Sequence, residues 1–287
     1  MSSLSAQNKT VVVSGCSSGI GRCAALTLAA RGYRVIATVR NEADRETLLQ
    51  DIPAKVVLLD LADSASVDSA ADDILEYCGG SLYALFNNAA YGQPGAVEDL
   101  SRDALRRQFE VNVFGTHQFT CRLLPALLAH GDARIVQNSS ILGFISMPMR
   151  GAYNASKHAL EGLSDTLRME LVGSGVSVSI IQPGPIVSRF RQNALRALER
   201  HVDFSNSRHA EGYRQALVRL SKPGPASSYT MPPEAVVSKL IHALEAKRPR
   251  ARYRVTLPTR LLAILKPLLP TSRLDKILLG AAESREG

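Results

Sequence analysis

The sequence predicts an α/β fold in which a doubly wound parallel sheet carries helices on both faces, followed by a C-terminal extension. Short runs rich in β-branched residues alternate with longer stretches of helical periodicity along most of the 287 residues. The strand runs are apolar throughout, which is typical of strands buried on both sides. Connections between segments are short, as compact α/β domains require. These observations favour one domain rather than two.

Six strands and four helices are predicted before the alternation stops. The strands are expected at residues 10–14, 34–39, 55–59, 82–87, 133–138 and 176–181. The helices are expected at residues 20–30, 65–77, 102–128 and 152–172, with Pro125 near the end of the longest. Strands joined by helical crossovers of this kind pair in parallel, so the pattern predicts a parallel sheet.

The chain changes character after Pro183. Residues 185–231 form a predicted helical insertion, rich in polar and aromatic residues, that follows a strand and would overhang the binding crevice. A helix at 233–247 and a last strand at 253–257 complete a domain spanning residues 1–257. Residues 258–287 then form a basic, leucine-rich extension.

The net charge of +8 is concentrated near the C-terminus, where residues 247–276 contain nine Lys or Arg and one Asp. Leucines interleave with these charges, whereas single-stranded nucleic acids are bound by stacking aromatics, so no nucleic-acid partner is expected. Two alternatives remain for this segment. It is an interfacial helix that contacts the inner membrane face, or it packs over a substrate cleft and keeps its arginines in water.

Cysteine and histidine usage argues against a metal site. The four cysteines lack paired C-x-x-C spacing, and the six histidines are scattered, so neither a metal nor a disulfide framework is expected. The first eight residues lack the basic start and apolar run of a secretory signal, and no stretch reaches ~18 apolar residues. A cytoplasmic protein without a spanning helix is therefore expected.

A glycine-rich turn connects the first predicted strand to the first helix. Its glycines, Gly15, Gly19 and Gly21, follow the spacing G-x-x-x-G-x-G. Without side chains, the backbone can approach a pyrophosphate and direct helix N-terminal amides at it. Because the turn lies between a strand and a helix, it predicts a nucleotide site. The other predicted contacts from this loop are Ser17, Ser18 and Ile20.

The end of the second strand is where a dinucleotide-binding fold normally places an acidic residue that binds the ribose of NAD. Here Val39 occupies that place and Arg40 follows it. A guanidinium pairs with a 2′-phosphate through charged hydrogen bonds, whereas a carboxylate repels it. Arg40 therefore indicates NADP(H) rather than NAD(H), unless it is only a solvated surface charge.

A tyrosine and a lysine lie four residues apart in segment 151–157. On a helix this spacing places Tyr153 and Lys157 on one face. A phenol with a pKa of ~10 is a weak acid–base group near neutrality, and a neighbouring ammonium favours its ionised form. The lysine can thus lower the tyrosine pKa while holding a cofactor ribose. Because such a pair is common by chance, the interpretation needs other residues.

Two further polar residues provide that support. Ser140 follows the fifth strand, and its hydroxyl is suited to hydrogen-bond a substrate oxygen. Asn112 lies in the long helix predicted at 102–128, where it is suited to hold a water between Lys157 and bulk solvent. Together with Tyr153 and Lys157, these are the predicted catalytic residues.

With these residues in this order, the chain resembles the classical short-chain dehydrogenase/reductase family from about residue 9 to residue 245. The likeness rests on the loop glycines, the Asn-Asn-Ala segment at 87–89 and the four catalytic candidates. Within the family, the chain is similar to bacterial NADP-dependent aldehyde reductases that resemble 17β-hydroxysteroid and retinol dehydrogenases. Residues 37–40, residues 183–186 and the basic extension carry this narrower likeness.

The resemblance implies a Rossmann fold and a nicotinamide cofactor that also contacts Tyr153 and Lys157. It implies that the residues after the third strand lie beside the adenine, and that the segment after the sixth strand borders the nicotinamide. The remaining cofactor contacts that it implies are Asp60, Leu61, Asn88, Ala89, Pro183, Gly184, Ile186 and Ser188. The family usually has threonine at the last of these positions, and serine keeps the hydroxyl.

The resemblance further implies hydride transfer between the nicotinamide and a carbonyl carbon, with the protein supplying orientation and protons. Tyr153 is expected to donate the proton during reduction while Ser140 stabilises the forming alkoxide. A homodimer or homotetramer built on the long helices is also implied. The alternative is a redox-sensing regulator that binds NADPH and acts through a protein partner. A sensor would not need Ser140 or Tyr153, so the sequence favours the enzyme.

The candidates for lining a substrate site are mainly apolar: Phe144, Met147, Met149 and Phe190, with Phe204 as a further possibility. An apolar lining suggests a lipophilic aldehyde or ketone, such as a fatty aldehyde, a retinoid or a steroid. The competing interpretation is that these side chains only pack beneath the insertion.

Overall fold

The computed structural model describes residues 9–225 and 227–283, and in this part of the chain seven strands form one sheet. The strands are β1 Thr10–Val13, β2 Arg34–Val39, β3 Lys55–Leu58, β4 Ala84–Asn87, β5 Ala133–Asn138, β6 Val176–Gln182 and β7 Arg252–Arg254. Their order is β3-β2-β1-β4-β5-β6-β7, and all neighbours pair in parallel. The predicted parallel sheet is confirmed.

Helices account for most of the remaining described chain. They are α1 Gly19–Ala30, α2 Glu42–Asp51, α3 Ser64–Cys78, α4 Arg102–Phe109, α5 Thr116–His130, α6 Gly151–Glu170, α7 Phe190–His201, α8 Ala210–Ser221, α9 Glu234–Glu245, α10 Leu257–Leu265 and α11 Thr271–Glu283. Among these helices, none combines the length and apolar character needed to cross a bilayer.

Helices cover both faces of the sheet. On one face α1, α2 and α9 pack against the strands, and Leu28 and Leu240 are completely buried there. On the other face α3 and α5 pack, with Ile74 and Phe119 completely buried. Burying a large apolar side chain contributes about 1.5–3 kcal/mol. The strands are therefore apolar on both sides because neither face of the sheet meets water.

The sheet order places a crevice at the carboxyl end of its central strands. Strand β1 pairs with both β2 and β4, so the chain reverses its progress across the sheet between β3 and β4. At such a reversal the connecting loops diverge and leave room for a ligand beyond the strand ends. The predicted site residues follow β1, β4, β5 and β6, so the topology brings them to one edge.

The helix predicted at 102–128 is interrupted. A π-helical turn, Glu110–Gly115, separates α4 from α5, and such turns carry one residue more than an α-helical turn. At its end the backbone of Gly115 lies against Leu61, where an added Cβ would be 1.9 Å from the Leu61 carbonyl oxygen. The turn widens where the helix passes this close to the backbone beside β3.

Two other sequence predictions need correction. The last strand was expected at 253–257 but ends at Arg254, because Leu257 begins α10 with a proline in its first turn, a position that favours helix starts. Helix α2 is not predicted at all, because only Leu48 is buried in it and a periodic apolar face is missing.

Gly115 and Gly162 form a matched pair for testing the close approach beside β3. We expect Gly115→Ala to destabilise the protein by about 1–3 kcal/mol, because the new methyl group must displace backbone. Gly162 lies in α6 with nothing within 4 Å of an added Cβ, so Gly162→Ala should stabilise by about 0.5–1 kcal/mol. Urea denaturation midpoints measure both changes. Equal effects of the two substitutions would contradict this packing.

Four helices that follow the sixth strand cover the carboxyl end of the sheet, and we call α7, α8, α10 and α11 the roof. Helices α7 and α8 pack around Tyr213 and Leu198 against Ala96, in the loop after β4. Helices α10 and α11 pack against Ile145, in the loop after β5, with Leu278 buried. The insertion and the C-terminal extension therefore enclose the same edge from two sides.

Candidate active site

The loop between β1 and α1 depends on its glycines. Gly15 and Gly19 have positive φ values of 71° and 56°, a region that glycine adopts without strain. A Cβ on Gly15 would lie 2.9 Å from the Cα of Ala89, and a Cβ on Gly21 would lie 2.1 Å from the Gly15 carbonyl oxygen. Glycine at these positions thus lets the loop pack closely and turn into the N-terminus of α1, where helix amides favour a phosphate.

Hydrogen bonds tie this loop to the ends of β4 and β5. The Ser14 hydroxyl accepts from the backbone amides of Asn88 at 2.9 Å and Ala89 at 3.0 Å. The Asn88 amide group donates to the carbonyl oxygens of Ser14 at 2.9 Å and Gly15 at 3.2 Å, and its oxygen accepts from Asn138 at 2.9 Å. The Ser14 hydroxyl thus joins the end of β1 to the segment after β4.

Arg40 directly follows the end of β2, the strand that neighbours the glycine loop. Within that strand the Thr38 hydroxyl accepts from the Gly15 amide at 3.3 Å, so β2 and the loop are directly joined. Arg40 itself is exposed, and in residues 9–225 and 227–283 no hydrogen bond or ion pair engages its guanidinium. The backbone of Arg40 is held in place by β2 while its guanidinium is exposed to solvent, and such a cation is suited to bind a phosphate.

The residues expected beside the adenine stabilise the turn after β3. The Asp60 carboxylate accepts from the Ala62 amide at 3.0 Å, and the Asp60 amide donates to the Ser66 hydroxyl at 3.0 Å. Leu61 is buried among the side chains of α3 and α5. These contacts shape the wall of the crevice on the β3 side, whereas Ser17 and Ser18 lie at the opposite, N-terminal end of α1.

Tyr153, Lys157 and Ser140 come together at the carboxyl end of β5. Tyr153 and Lys157 lie one turn apart on α6, with the lysine Nζ 5.9 Å from the centre of the tyrosine ring. The Lys157 ammonium is buried and donates to the Asn138 carbonyl oxygen at 2.8 Å. Ser140 begins the turn after β5, where its Oγ accepts from the Leu142 amide at 3.1 Å.

Burial controls the pKa values of this pair. Burial raises the pKa of Tyr153 to about 12, and hydrogen bonding with Ser140 and the charge of Arg150 oppose that rise. Tyr153 is therefore protonated near neutral pH, and Ser140 and Arg150, rather than the expected Lys157, are the groups that oppose the rise. Burial lowers the pKa of Lys157 to about 8, while the carboxylate of Glu161 acts in the opposite direction.

Asn112 lies in the π-helical turn and joins two parts of the site. Its Nδ2 donates to the Tyr91 carbonyl oxygen at 2.9 Å and to the Ser156 hydroxyl at 3.1 Å, and its Oδ1 accepts from the Tyr91 amide at 3.1 Å. Both amide protons are thus used, and Oδ1 keeps one lone pair for the predicted water. The side chain fixes the loop after β4 against α6.

The assembly of these elements agrees with a known family of sequences. The sequence model described as "short chain dehydrogenase" matches residues 9–199. That match spans the site from Gly15 to Ser188. The chain belongs to the short-chain dehydrogenase family. It is therefore an oxidoreductase whose relatives bind a nicotinamide cofactor and act on small molecules.

Two relatives align over almost the whole chain of this short-chain dehydrogenase. It is 45% identical over 272 residues to the uncharacterized oxidoreductase YbbO of Escherichia coli strain K12, covering 95% of this chain and 94% of the relative. It is 34% identical over 273 residues to the NADPH-dependent 3-dehydrocapnine reductase of Ornithobacterium rhinotracheale, covering 93% and 94%. Both likenesses extend beyond the family match into the C-terminal segment.

Solved structures of other short-chain dehydrogenases share the fold. One from Streptomyces avermitilis has a TM-score of 0.75 at 28% identity and covers 98% of this chain and 97% of its own. Another, from Burkholderia phymatum in complex with NAD, has a TM-score of 0.75 at 27% identity and covers 91% and 93%. The Rossmann-like architecture is thus established independently of the site residues.

Sequence reasoning missed a buried carboxylate beneath the site of this short-chain dehydrogenase. Glu161 lies one turn beyond Lys157, and its carboxylate accepts from the Ser139 hydroxyl at 2.7 Å and from the Gln182 amide group at 2.8 and 2.9 Å. Arg252 of β7 lies 3.5 Å away. Glu161 therefore connects α6, the turn carrying Ser140, and the ends of β6 and β7.

Phe190, one of the predicted lining residues, lies against the ring of Tyr153. Its ring centre is 5.3 Å from that of Tyr153, in an edge-to-face arrangement. A Cβ on Gly92 would lie 2.6 Å from the Phe190 ring and 3.5 Å from the Tyr153 ring, so the glycine admits both. The Phe190 ring of α7 thus lies directly beside Tyr153, the candidate proton donor.

The other aromatic and methionine candidates pack against the remaining helices of the roof. Phe144 and Met147 pack with Leu274 against helices α10 and α11 of the roof. Met149 has a positive φ of 60° and packs beneath α7 and α8. Phe204 stacks on the Tyr213 ring at 4.6 Å between centres, inside the insertion.

The segment after β6 approaches the cofactor loop. Gly184 lies against α10, where an added Cβ would be 2.1 Å from the Thr256 hydroxyl oxygen. Pro183 accepts from the Ile141 amide at 2.7 Å through its carbonyl oxygen, beside the turn that carries Ser140. Ile186 packs towards the α1 side of the sheet. The Cβ of Ser188 would be 3.0 Å from one on Gly19, so this segment closes over the start of α1.

Proposed function

We propose that this short-chain dehydrogenase is an NADP(H)-dependent carbonyl reductase for lipophilic aldehydes or ketones. The observation that carries the proposal is the meeting of protonated Tyr153, Ser140 and buried Lys157 at the carboxyl end of the sheet. An NADPH-sensing regulator would need Lys157 at most to hold the cofactor and gives no role to Ser140 or to the protonated Tyr153 beside it. The enzyme is therefore the better interpretation of the site.

The cofactor proposal rests on the shape of the cradle and on Arg40. The loop from Gly15 to Gly21 fits a pyrophosphate, because it turns tightly against Ala89 and Asn88, where a Cβ at either glycine would clash, and so leads into the amides at the N-terminus of α1. The free, exposed Arg40 favours the 2′-phosphate of NADP(H). A relative named for its NADPH dependence supports the same choice, and the NAD-bound Burkholderia structure shows that the fold also accepts NAD.

Each polar group has a distinct role in the proposed reduction. When bound, the nicotinamide cofactor supplies the hydride. The Ser140 hydroxyl donates a hydrogen bond to the substrate oxygen, and the Tyr153 hydroxyl gives that oxygen its proton. Lys157 holds its positive charge beside the tyrosine, and that charge favours the phenolate left behind. Asn112 keeps the surrounding loops in place.

The apolar surroundings of the tyrosine support a lipophilic substrate. Phe190 stands at the ring of Tyr153, and Phe144 and Met147 line the turn beneath the roof. A hydrocarbon chain gains by leaving water for such surroundings, at about 0.8 kcal/mol per buried CH₂. The catalytic efficiency should therefore rise with chain length until the cleft is filled.

We further propose a homodimer or homotetramer, as the family resemblance implies. Large apolar side chains on α5, on α6, in the π-helical turn before α5 and in the turn after α6 remain exposed: Phe114, Leu128, Leu163, Met169 and Val172. We assign these exposed apolar side chains to the interface with another subunit. Sedimentation velocity tests this assembly directly.

The proposed function is tested by NADPH oxidation with straight-chain aldehydes of increasing length. We expect faster turnover with longer chains, a clear preference for NADPH over NADH, and no turnover by Tyr153→Phe. Retinal and a ketosteroid then separate the lipophilic classes. Tight NADPH binding without turnover of any of these carbonyls would contradict the proposal and favour the regulator.

Lys157 and Glu161 predict how turnover depends on pH. The pKa of Lys157 is about 8, so its charge is lost as the pH rises through that value, and activity should fall there. The Glu161 carboxylate raises this pKa, so Glu161→Gln should move the alkaline fall in kcat to lower pH. Arg252 and Asp165 also surround Glu161 and remain unchanged in the variant.

The conservative variant Glu161→Asp is the control for that shift. It keeps the negative charge but shortens the reach to Ser139 and Gln182, so it should lose stability while keeping the alkaline fall near its original pH. If Glu161→Gln lowers kcat equally at all pH values, the carboxylate acts only as a structural support.

A further inference from the structure

Helix α10 carries a row of large apolar side chains on its solvent side. The row consists of Leu257, Leu261, Ile264 and Leu268, with exposed fractions of 54%, 50%, 57% and 71%. The spacing of Leu257, Leu261 and Ile264 places them on one side of α10, and Leu268 follows in the turn after the helix. We call these four residues the outer face. Such a continuous exposed row calls for a partner, whereas single exposed leucines do not.

The opposite side of the same segment is firmly packed. Thr259 is fully buried and shares a hydrogen bond with Thr256 at 2.9 Å. Leu262 packs with buried Leu278 of α11 against the loop after β5. The Lys266 ammonium donates to the Phe144 carbonyl oxygen at 2.6 Å. The orientation of α10 is thus fixed, and the outer face is exposed because its other side is the one that fits the protein.

The two alternatives for this segment are therefore compatible with each other. The inner side of α10 and α11 packs over the turn that carries Phe144 and Met147. The outer face points away from that contact. One helix thus separates the proposed substrate cleft from whatever covers the outer face.

The charges around the outer face are almost all positive. Between residues 257 and 281 the chain has Arg260, Lys266, Arg273 and Lys276 against Asp275 alone. Each of these cations is exposed. Apolar side chains bordered by cations are the combination that binds the headgroup region of an anionic bilayer.

We propose that the outer face of α10 docks on an anionic lipid bilayer and places the cleft beneath the roof at the membrane surface. The proposal rests on the proposed function for its purpose, because a lipophilic carbonyl concentrates in the bilayer. Entry from the lipid side avoids transfer of the substrate through water. The amount of apolar surface also favours lipid over a second copy of the chain. A stable protein interface buries roughly 800 Å² per partner, far more than four half-exposed side chains provide.

The test is co-sedimentation of the full chain with vesicles of phosphatidylcholine, alone or mixed with phosphatidylglycerol. We expect binding to the mixed vesicles, little binding to phosphatidylcholine alone, and release by salt. The double variant Leu261→Gln with Ile264→Gln should bind at least about tenfold more weakly, because it removes half of the outer face. Glutamine keeps the helix propensity, so folding should be retained.

Val218→Gln is the matched control, because Val218 is a 65% exposed aliphatic residue on α8, outside the outer face. It should bind vesicles like the parent. Both variants should reduce a short, water-soluble aldehyde at the parental rate. Undiminished vesicle binding by the double variant, or no binding by the parent, would overturn the proposal. A shift of the double variant from oligomer to monomer in sedimentation velocity would also overturn it, by assigning the outer face to a second copy.

Vesicle binding is measured without turnover, so its outcome is independent of the proposed activity. Loss of vesicle binding with intact reduction of the short aldehyde isolates the docking step. Intact vesicle binding by a chain that reduces no carbonyl would instead overturn the proposed function and leave the docking proposal standing.

Discussion

Tyr153→Phe should lower kcat by about 10²–10⁴-fold, the usual contribution of one positioned proton donor. The phenylalanine ring keeps the edge-to-face contact with Phe190, and the buried Lys157 keeps its bond to the Asn138 carbonyl oxygen. Only the hydroxyl is lost, and with it the proton for the substrate oxygen. Because the phosphate cradle lies at α1, the affinity for NADPH should change by less than about threefold.

Turnover of a long-chain aldehyde and NADPH fluorescence titration measure the two quantities separately. Tyr229→Phe is the control, because Tyr229 is 51% exposed and lies outside the site. That variant should match the parent in both measurements. Parallel loss of turnover and of NADPH affinity in Tyr153→Phe would show that the hydroxyl holds the cofactor rather than donating the proton.

Arg40→Glu should reverse the preference between the two nicotinamide cofactors. Losing a hydrogen bond to a charged group costs about 1.5–3 kcal/mol, which alone weakens NADPH binding about 10- to 150-fold. The new carboxylate also repels the 2′-phosphate and restores the ribose acceptor found in NAD-binding folds. NADH affinity should therefore hold or rise. Arg40 has no partner in the described residues, so stability should be unaffected.

The control is Arg106→Glu, which makes the same change of charge on α4. Arg106 is 57% exposed and pairs with Asp103, away from the glycine loop. Titrations with NADPH and NADH compare both variants with the parent. If the two substitutions weaken NADPH binding equally, the long-range charge of the protein, rather than a contact with Arg40, sets the preference.

The sheet was predictable from sequence because its strands are buried on both sides and read as short apolar runs. All six strands predicted before residue 185 are present, within two residues at each end. Helix α2 was not predictable in this way, because Leu48 is its one buried residue and most of its other positions are polar and exposed. The π-helical turn around Asn112 was hidden for a different reason. An extra residue in a turn changes the hydrogen-bond pattern but leaves no periodic signal.

The positions of the catalytic candidates followed from spacing, whereas their electrostatics did not. A separation of four positions from Tyr153 to Lys157 implies one helix face, and the structure places both residues there. Glu161 continues the same spacing and would ordinarily be assigned to solvent. It is buried only because Gln182 and Arg252, from distant strands, meet it. Contacts between residues so far apart in the chain have no local signal.

The site residues precede the roof in the sequence, and this separation affects how relatives can come to accept different substrates. Every candidate for the cofactor and for proton transfer lies between Gly15 and Ser188, and the roof begins at Phe190. A single recombination event near that boundary would exchange the roof while keeping the residues proposed for cofactor binding and proton transfer. The incoming segment must still supply an arginine opposite Glu161, since Arg252 comes from the exchanged half. Chimeras that retain the Glu161–arginine pair should keep a functional active site and accept different substrates.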